Sequence, residues 1–260
     1  MVDKRVAIVT GGGTGVGAAS AKALAADGYN VLVNYARSKD AADDVVAHIV
    51  ASGGDAVAVR GDVASDHDCR ALASAAVDRW GRIDALVHSA GVTQFMPMSD
   101  LEGQDAEDFQ RIYGVNVIGA YQMARAVLPA MRAQEGGAII LVSSISSLNG
   151  TGSSYAYAAS KGALNTLTMA LSRNLAPIRV NAVLPGVIDG DWLRRGLGED
   201  GFDQARKTFE DASALGRLCT PEDIASTIRW LVSDARAMTG QLVTVDAGAM
   251  IGRPPQVVPR

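Results

Sequence analysis

The sequence predicts an α/β fold in which one doubly wound parallel sheet of about seven strands carries helices on both faces. Three observations carry this. Short Val/Ile/Leu/Ala runs recur along the chain, and amphipathic stretches separate most of them. The runs are continuously apolar rather than alternating, as strands covered on both faces are. A glycine-rich turn follows the first run directly.

In chain order the strand runs are Arg5–Thr10, Tyr29–Tyr35, Ala56–Gly61, Ala85–Ser89, Ala138–Ser143, Ile178–Leu184 and Gln241–Val245. Two long helical patterns stand between the later strands. One covers Ala106 to Ala133 behind the acidic start Asp105, Glu107 and Asp108; the other covers Ser154 to Ala176 and ends at Pro177. Val187–Ser213 breaks the regularity with Gly190, Gly196, Gly198 and Gly201 among charges and aromatics, and reads as a substrate loop or small lid. No repeat of roughly 20 to 50 residues is visible. Residues 1–252 read as a single domain, and 253–260 as a Pro-rich tail that Pro254, Pro255 and Pro259 keep out of helix.

Composition narrows the function. With a formal charge of -4 and a pI near 5.4 the chain lacks the basic footprint that nucleic-acid phosphates demand. Cys69 and Cys219 form neither a disulfide framework nor a metal-ligand spacing, so no metal is expected. Val6–Thr10 is too short for the apolar core of a signal peptide, and no run approaches membrane-spanning length. The expectation is a cytoplasmic protein without membrane or nucleic-acid partners.

The turn Thr10-Gly11-Gly12-Gly13-Thr14-Gly15-Val16-Gly17 lies between the first strand and the first helix. Glycines there permit a tight turn and let backbone amides approach a pyrophosphate at the helix N-terminus. Gly11, Gly15 and Gly17 are the primary candidates, with Thr14 and Val16 in the same turn. An enzyme preferring NAD usually ends its second strand on an acid that grips the ribose 2′-hydroxyl; this chain has Asn34-Tyr35-Ala36-Arg37-Ser38. Arg37, with Ser38, suits a 2′-phosphate, so NADP(H) is favoured and NAD(H) is the alternative cofactor. Asp62 and Val63, after the third strand, are placed to cap an adenine, or Asp62 serves the following helix N-terminus.

Ser143 and Ser144 end the fifth strand, and Tyr157 and Lys161 follow on one face of a helix. A tyrosine near pKa 10 is a poor proton donor and acceptor at neutral pH, and an ammonium one turn away lowers it. Ser143, Ser144, Ser146 and Ser147 compete for the neighbouring hydroxyl role. Tyr155 competes with Tyr157, but four residues beyond it stands Ala159, which carries no charge.

Taken together, Thr10, Gly11, Gly15 and Gly17, Ala90-Gly91, Asn116, Ser144, Tyr157 and Lys161, Pro185-Gly186, and the ending Val245-Asp246-Ala247-Gly248 resemble the short-chain dehydrogenase/reductase family. The pattern is nearest to its 3-ketoacyl-(acyl-carrier-protein) reductase-like members and runs from Arg5 to Gly248. The resemblance implies a Rossmann-type fold and an NAD(P)(H)-dependent oxidoreductase interconverting a ketone and a secondary alcohol by hydride transfer. It implies Tyr157 as general acid/base, Lys161 as its pKa-lowering and ribose-binding partner, Ser144 as orienter of the substrate oxygen, and Asn116 as holder of a relay water. Ala90, Gly91, Pro185, Gly186 and Ile188 join the cofactor contacts. A homotetramer or homodimer paired through the two long helices is implied, with Gly119, Ala120, Ala124 and Ala163 permitting close approach, and an acyl carrier protein is the partner that Arg125, Arg132 and Arg173 would meet.

Two departures from the family pattern stand out. His88-Ser89 replaces the usual Asn-Asn before Ala90-Gly91, and Gly190 replaces a threonine that helps hold the nicotinamide carboxamide. A histidine ending a buried strand reads as a hydrogen-bonded core residue, and the missing threonine predicts weaker cofactor binding. Gln94, Phe95, Met96, Ser146, Leu148, Asn149, Trp192, Leu193, Phe202 and Phe209 are expected to line a site for a medium-sized, mostly apolar carbonyl or alcohol substrate. The competing class is a non-catalytic NADP-binding regulatory protein of the same fold, which would need the glycine turn but not the Asn116, Ser144, Tyr157 and Lys161 set.

Overall fold

A computed structural model describes residues 4–253, so residues 254–260 of the expected tail lie outside the described part. Seven strands form one all-parallel sheet in the order β3-β2-β1-β4-β5-β6-β7: β1 Val6–Thr10, β2 Asn30–Tyr35, β3 Ala56–Arg60, β4 Ala85–His88, β5 Ala138–Val142, β6 Arg179–Pro185 and β7 Leu242–Val245. The apolar runs therefore became the strands expected. Period two persists inside them: Ala7 and Val9 join the core on one face, Val6 and Ile8 the core on the other. Alternation is hidden in the sequence because both faces are buried.

Helices α1 (Gly15–Ala26), α2 (Lys39–Ala51) and α9 (Pro221–Ser233) cover the first face, and α3 (Asp66–Trp80), α5 (Gly119–Ala133) and α7 (Tyr155–Asn174) the second. The strand order reverses between β1 and β4, and a crevice for ligands opens at such a switch point beyond the strand C-termini.

The helical run from Ala106 is not one regular helix. It begins as α4 (Ala106–Tyr113), capped by Asp105, whose carboxylate accepts from the Asp108 amide at 2.9 Å, passes through a π turn at Gly114–Ile118 and continues as α5. Such π insertions concentrate at functional sites, and this one contains Asn116. Gly119, Ala120 and Ala124 face their own sheet: a Cβ on Gly119 would stand 2.9 Å from the Val63 side chain, and both alanines are buried. They do not form the pairing face expected of them. Arg125 is held by Asp66.

The expected substrate loop is mostly helix. After Gly190 the chain forms α8 (Asp191–Ala212), broken at Gly198, where φ 72° and ψ 168° interrupt it. Among the described residues no helix is long and apolar enough to cross a membrane, and no group of three or more His, Cys, Asp or Glu is placed to hold a metal ion.

Candidate active site

The nucleotide turn is built by backbone approach. A Cβ on Gly17 would lie 2.2 Å from the Gly11 carbonyl oxygen, and one on Gly11 would lie 3.0 Å from the Ala90 backbone. Helix α1 and the Ala90-Gly91 segment can therefore close on the turn only as glycine allows. Thr14 is the N-cap of α1 without using its side chain, Val16 is buried beneath, and the positive end of the helix faces the crevice. Around Gly15 no atom lies within 4 Å of the Cβ position. This cradle, closed behind and open in front, fits a pyrophosphate.

Three buried side chains fix the turn. Thr10 Oγ1 accepts from the Ala90 amide at 3.2 Å and lies 3.1 Å from His88 Nδ1. The Thr10 hydroxyl and His88 Nδ1 share one hydrogen bond whose direction follows the histidine tautomer. Burial pushes the His88 pKa down to about 3, with Lys161 adding to the shift, so the ring is a neutral core residue as expected. Asn34, 2% exposed, donates to the Gly61 carbonyl at 2.9 Å and accepts from the Gly11 amide at 3.4 Å. The sequence reading missed it; the signal was an amide inside an otherwise apolar strand.

Beyond β2 and β3 a cavity of about 500 Å³ is lined by Ala36, Arg37, Arg60, Asp62, His67, Asp68 and Ala71. Arg37 was expected there and Arg60 was not. Among the described residues neither guanidinium pairs with a carboxylate. Asp62 serves its own loop, accepting from the Ala64 amide at 3.0 Å, and Val63 packs in the core. Ser38 is the N-cap of α2 and makes no capping bond with its side chain.

The chemical end gathers where β5 meets α7. Ser143 is spent on structure, donating to Asn165 Oδ1 at 2.7 Å and to the Lys161 carbonyl at 3.2 Å, and Ser147 accepts from Asn165 Nδ2 at 2.8 Å. Ser144 is left facing Tyr157, with the Ser146 hydroxyl at 3.0 Å behind it. Tyr155 donates to the Met98 carbonyl, so the rival tyrosine is an anchor. Ser154 caps α7, accepting from the Tyr157 amide at 3.3 Å, which sets Tyr157 in the first turn of the helix and Lys161 one turn on.

Here the electrostatics differ from expectation. Burial pushes Tyr157 up to about 12, with the Ser144 hydrogen bond working against it, and burial also pushes Lys161 down to about 8. Lys161 Nζ stands 5.5 Å from the Tyr157 ring centre and donates to the Val142 carbonyl at 2.8 Å, so in the resting site its charge does not offset the burial that keeps the phenol protonated. Asn116, fully buried, accepts from the Val92 amide at 2.8 Å and donates to the Val92 carbonyl and Ser160 Oγ, each at 3.0 Å. Its side chain thus clamps the π turn to the β4 exit and α7, where a water-holding role was expected.

On the far side, Gly186 donates to the Val245 carbonyl at 2.9 Å, and a Cβ on it would meet Asp246 at 2.8 Å; this presses the Pro185-Gly186 segment onto the end of β7. Ile188 bridges to Cys219. Over the site lies the first turn of α8: the Trp192 ring meets the Tyr157 ring edge-on, centroids 5.9 Å apart and planes at 81°. Phe202 is fully buried beneath the Arg194 guanidinium at 3.9 Å and does not line the site.

A dinucleotide-type glycine turn and a Ser-Tyr-Lys group on one doubly wound sheet define a class, the nicotinamide-dependent oxidoreductases of the short-chain type, and comparison with known proteins agrees. The family model described as enoyl-(acyl carrier protein) reductase matches residues 11–250. A short-chain dehydrogenase/reductase structure from Burkholderia xenovorans superposes with a TM-score of 0.89 at 38% identity, covering 97% of this chain and 100% of its own. The ketoacyl reductase 2 of the granaticin polyketide synthase from Streptomyces violaceoruber is 38% identical over 94% of this chain and 95% of its own length. The 3-oxoacyl-[acyl-carrier-protein] reductase of a Synechocystis species is 37% identical over 95% and 97%. An L-rhamnose 1-dehydrogenase (NAD(P)(+)) from a Sphingomonas species is 36% identical over 96% and 98%. The chain belongs to the short-chain dehydrogenase/reductase family and is an oxidoreductase of ketoreductase-like kind.

Proposed function

We propose that this chain is an NADP(H)-dependent ketoreductase in which Tyr157 donates the proton to the carbonyl oxygen. The observation that carries the reading is the convergence of Ser144, Tyr157 and Lys161 beside the glycine turn, with Tyr157 held in its protonated form at neutral pH. A bound reduced nicotinamide supplies the hydride; Gly11, Thr14, Gly15, Val16 and Gly17 hold its pyrophosphate, and Ala90, Gly91, Pro185, Gly186 and Ile188 border the nicotinamide end. Ser144 orients the carbonyl oxygen toward the Tyr157 hydroxyl, and Tyr157 gives up its proton as negative charge develops on that oxygen. Lys161, charged below about 8, steadies the resulting phenolate and reaches the ribose. Asn116 keeps the π turn, and through Ser160 the α7 helix, in register with this group.

The cofactor preference rests on two arginines rather than one. Arg37 and Arg60 line the same cavity without a carboxylate partner, and a 2′-phosphate is the anion their forks suit. Relatives named for acyl-carrier-bound, sugar and versicolorin substrates support a carbonyl substrate without choosing among them. An acyl carrier protein and a second copy of the chain are the partners this reading carries, and a binding assay and light scattering address them.

The test is oxidation of NADPH and NADH against a panel of thioester, quinone, sugar and aromatic ketones. Turnover with NADPH preferred, and a loss of more than about 1000-fold in Tyr157→Phe, is the expected result. NADPH binding without turnover on any ketone would favour the non-catalytic cofactor-binding reading.

A further inference from the structure

We infer that the edge of the sheet where the strands begin holds a second ligand site, an anion pocket in which Arg5, Arg179 and Arg236 bind a phosphate group. It lies away from the nucleotide turn and from the Ser144, Tyr157 and Lys161 group, and it does not rest on the ketoreductase reading.

In an all-parallel sheet every strand starts at one edge, and the crevice described above opens beyond the opposite one. At the starting edge a cavity of about 340 Å³ takes Arg5 from just ahead of β1, Arg179 from the first position of β6 and Arg236 from beyond the end of α9. Strands β4 and β5 lie between β1 and β6, so the fold gathers cations that are neighbours neither in sequence nor in strand pairing. Like charges gathered in a partly dehydrated hollow repel one another, and an anion between them relieves the repulsion.

The carboxylates of this edge are already taken. Asp84, which also lines the cavity, receives the Arg82 fork at 2.7 and 2.9 Å and the Val6 amide at 2.8 Å. Asp27 is held by Ser233 and by Arg229 at 3.5 Å, and Arg229 also reaches Asp234 at 3.2 Å. Among the described residues none of the three cavity arginines has a carboxylate partner.

Two of the three are set in place by other means. Arg5 lies over the buried Tyr29 ring, 4.3 Å from its centre. Arg179, partly buried, donates from Nη1 to the Leu231 and Ala235 carbonyls at 2.7 and 3.1 Å and from Nη2 to the Val232 carbonyl at 2.8 Å, closing the C-terminal end of α9. A guanidinium has five N–H donors, so these bonds leave the Nε–H and one Nη2–H of Arg179 without a protein acceptor. Arg236 is exposed and completes the set. Three cations without a carboxylate of their own call for more charge and more acceptor oxygens than one carboxylate brings. A phosphate group brings about two charges and at least three oxygens, each suited to a guanidinium fork. Bound there, it ties the starts of β1 and β6 to the end of α9.

The test is calorimetric titration of the full chain with inorganic phosphate at constant ionic strength set by chloride. The cavity of Arg37 and Arg60 also suits a phosphate, so the titration is made in the Arg37→Ala/Arg60→Ala double variant as well as the native chain. Expected in the double variant is one phosphate site with a Kd of about 1 mM or tighter. Adding Arg236→Ala or Arg5→Ala should weaken it at least about tenfold, while Arg236→Lys, which keeps the charge but not the fork, loses less. Saturating phosphate should also raise the melting midpoint of the double variant, and this rise should vanish with Arg236→Ala. Melting midpoints in chloride alone, unchanged by Arg236→Ala, separate lost binding from lost folding. Ribose 5-phosphate distinguishes the sources: tighter binding than inorganic phosphate at the same site assigns it to a phosphomonoester, and exclusion of the ester assigns it to free phosphate. Absence of phosphate binding in the double variant, or binding indifferent to both Arg236→Ala and Arg5→Ala, would overturn the inference.

Discussion

At Gly17 in the nucleotide turn glycine is required because backbone comes too close for any side chain, whereas Gly198 at the substrate end sits in open space. Gly17 has the Gly11 carbonyl 2.2 Å from its Cβ position, while Gly198, at φ 72°, has nothing within 4 Å. The first glycine fixes a geometry and the second permits a change of one. One end of the crevice is therefore a rigid mould for a constant ligand, backed by Thr10, Asn34 and His88, and the other a hinged cover that ion pairs of Arg194 with Asp189 and Glu199 hold on the surface. Rigidity lies where the cofactor is proposed to bind, and freedom where the substrate varies.

The contrast breaks most sharply at Gly17. Gly17→Ala puts a methyl against backbone that has no rotamer to yield, so either the turn opens or α1 moves away. We expect NADPH affinity to fall by more than about 100-fold in a fluorescence titration, with thermal stability also lowered. Gly198→Ala meets no neighbouring atom but must hold φ 72° and ψ 168°, a region left almost entirely to glycine, at a cost of about 3 kcal/mol or a local shift of the kink, and should still leave NADPH affinity within about twofold. Equal effects of the two substitutions on cofactor binding would remove the distinction.

A second, smaller effect separates the proton donor from its neighbour. With Tyr157 pushed to about 12 and Lys161 to about 8, Tyr157 keeps its proton through the whole accessible range and Lys161 loses its charge first. The rate of ketone reduction should hold from pH 6 to 7 and then fall above about 8, by up to about tenfold per unit. Lys161→Arg, which stays charged, should move that limb to higher pH. A flat native profile to pH 10 would mean that Lys161 charge is not needed for proton donation.

The same contrast explains what the sequence made legible. Strand runs, the glycine turn and the Tyr157 and Lys161 pair could be read because each is a local pattern with a local cause: burial on both faces, close backbone approach, one helical face. Arg60 and Asn34 escaped because their partners come from other strands, with Arg60 meeting Arg37 across a cavity and Asn34 joining Gly11 to Gly61. The helix at α8 was hidden by its glycines, which read as loop although only Gly198 breaks the helical backbone. The raised Tyr157 could not be read at all, since i and i+4 spacing places an ammonium nearby without saying that it will donate to the Val142 carbonyl instead.

His88 sharpens the rigid half at the level of stability. Its pKa falls from 6.5 in the unfolded chain to about 3 in the fold, so the unfolded state takes up a proton over that interval and the native state does not. The contribution is complete above 6.5 and is lost as pH falls toward 3. Urea unfolding at pH 8 and pH 5 should show native stability dropping by about 2 kcal/mol more than in His88→Asn, which has no ring to protonate. The same drop in both proteins would place the acid sensitivity elsewhere.

The smallest effect lies where the two halves meet. Gly190 ends the anchored Ile188-Asp189 segment and begins the hinged one, and it stands where a threonine is the family's usual residue. Its backbone is extended, φ -173° and ψ 170°, which any residue adopts, and the nearest atom to a Cβ there is Ile188 Cγ2 at 4.0 Å. Nothing in the fold demands glycine, so Gly190→Thr should fold normally and gain a helix N-cap hydroxyl at the start of α8. If the position belongs with the mould, the hydroxyl adds a contact to the carboxamide and NADPH binds about threefold tighter. If it belongs with the cover, capping stiffens the Trp192 turn, cofactor affinity stays put and KM for the ketone rises. Measuring NADPH affinity and ketone KM on the one variant decides which half owns the residue, and the first outcome is expected because Ile188, two residues earlier, is still fixed to Cys219.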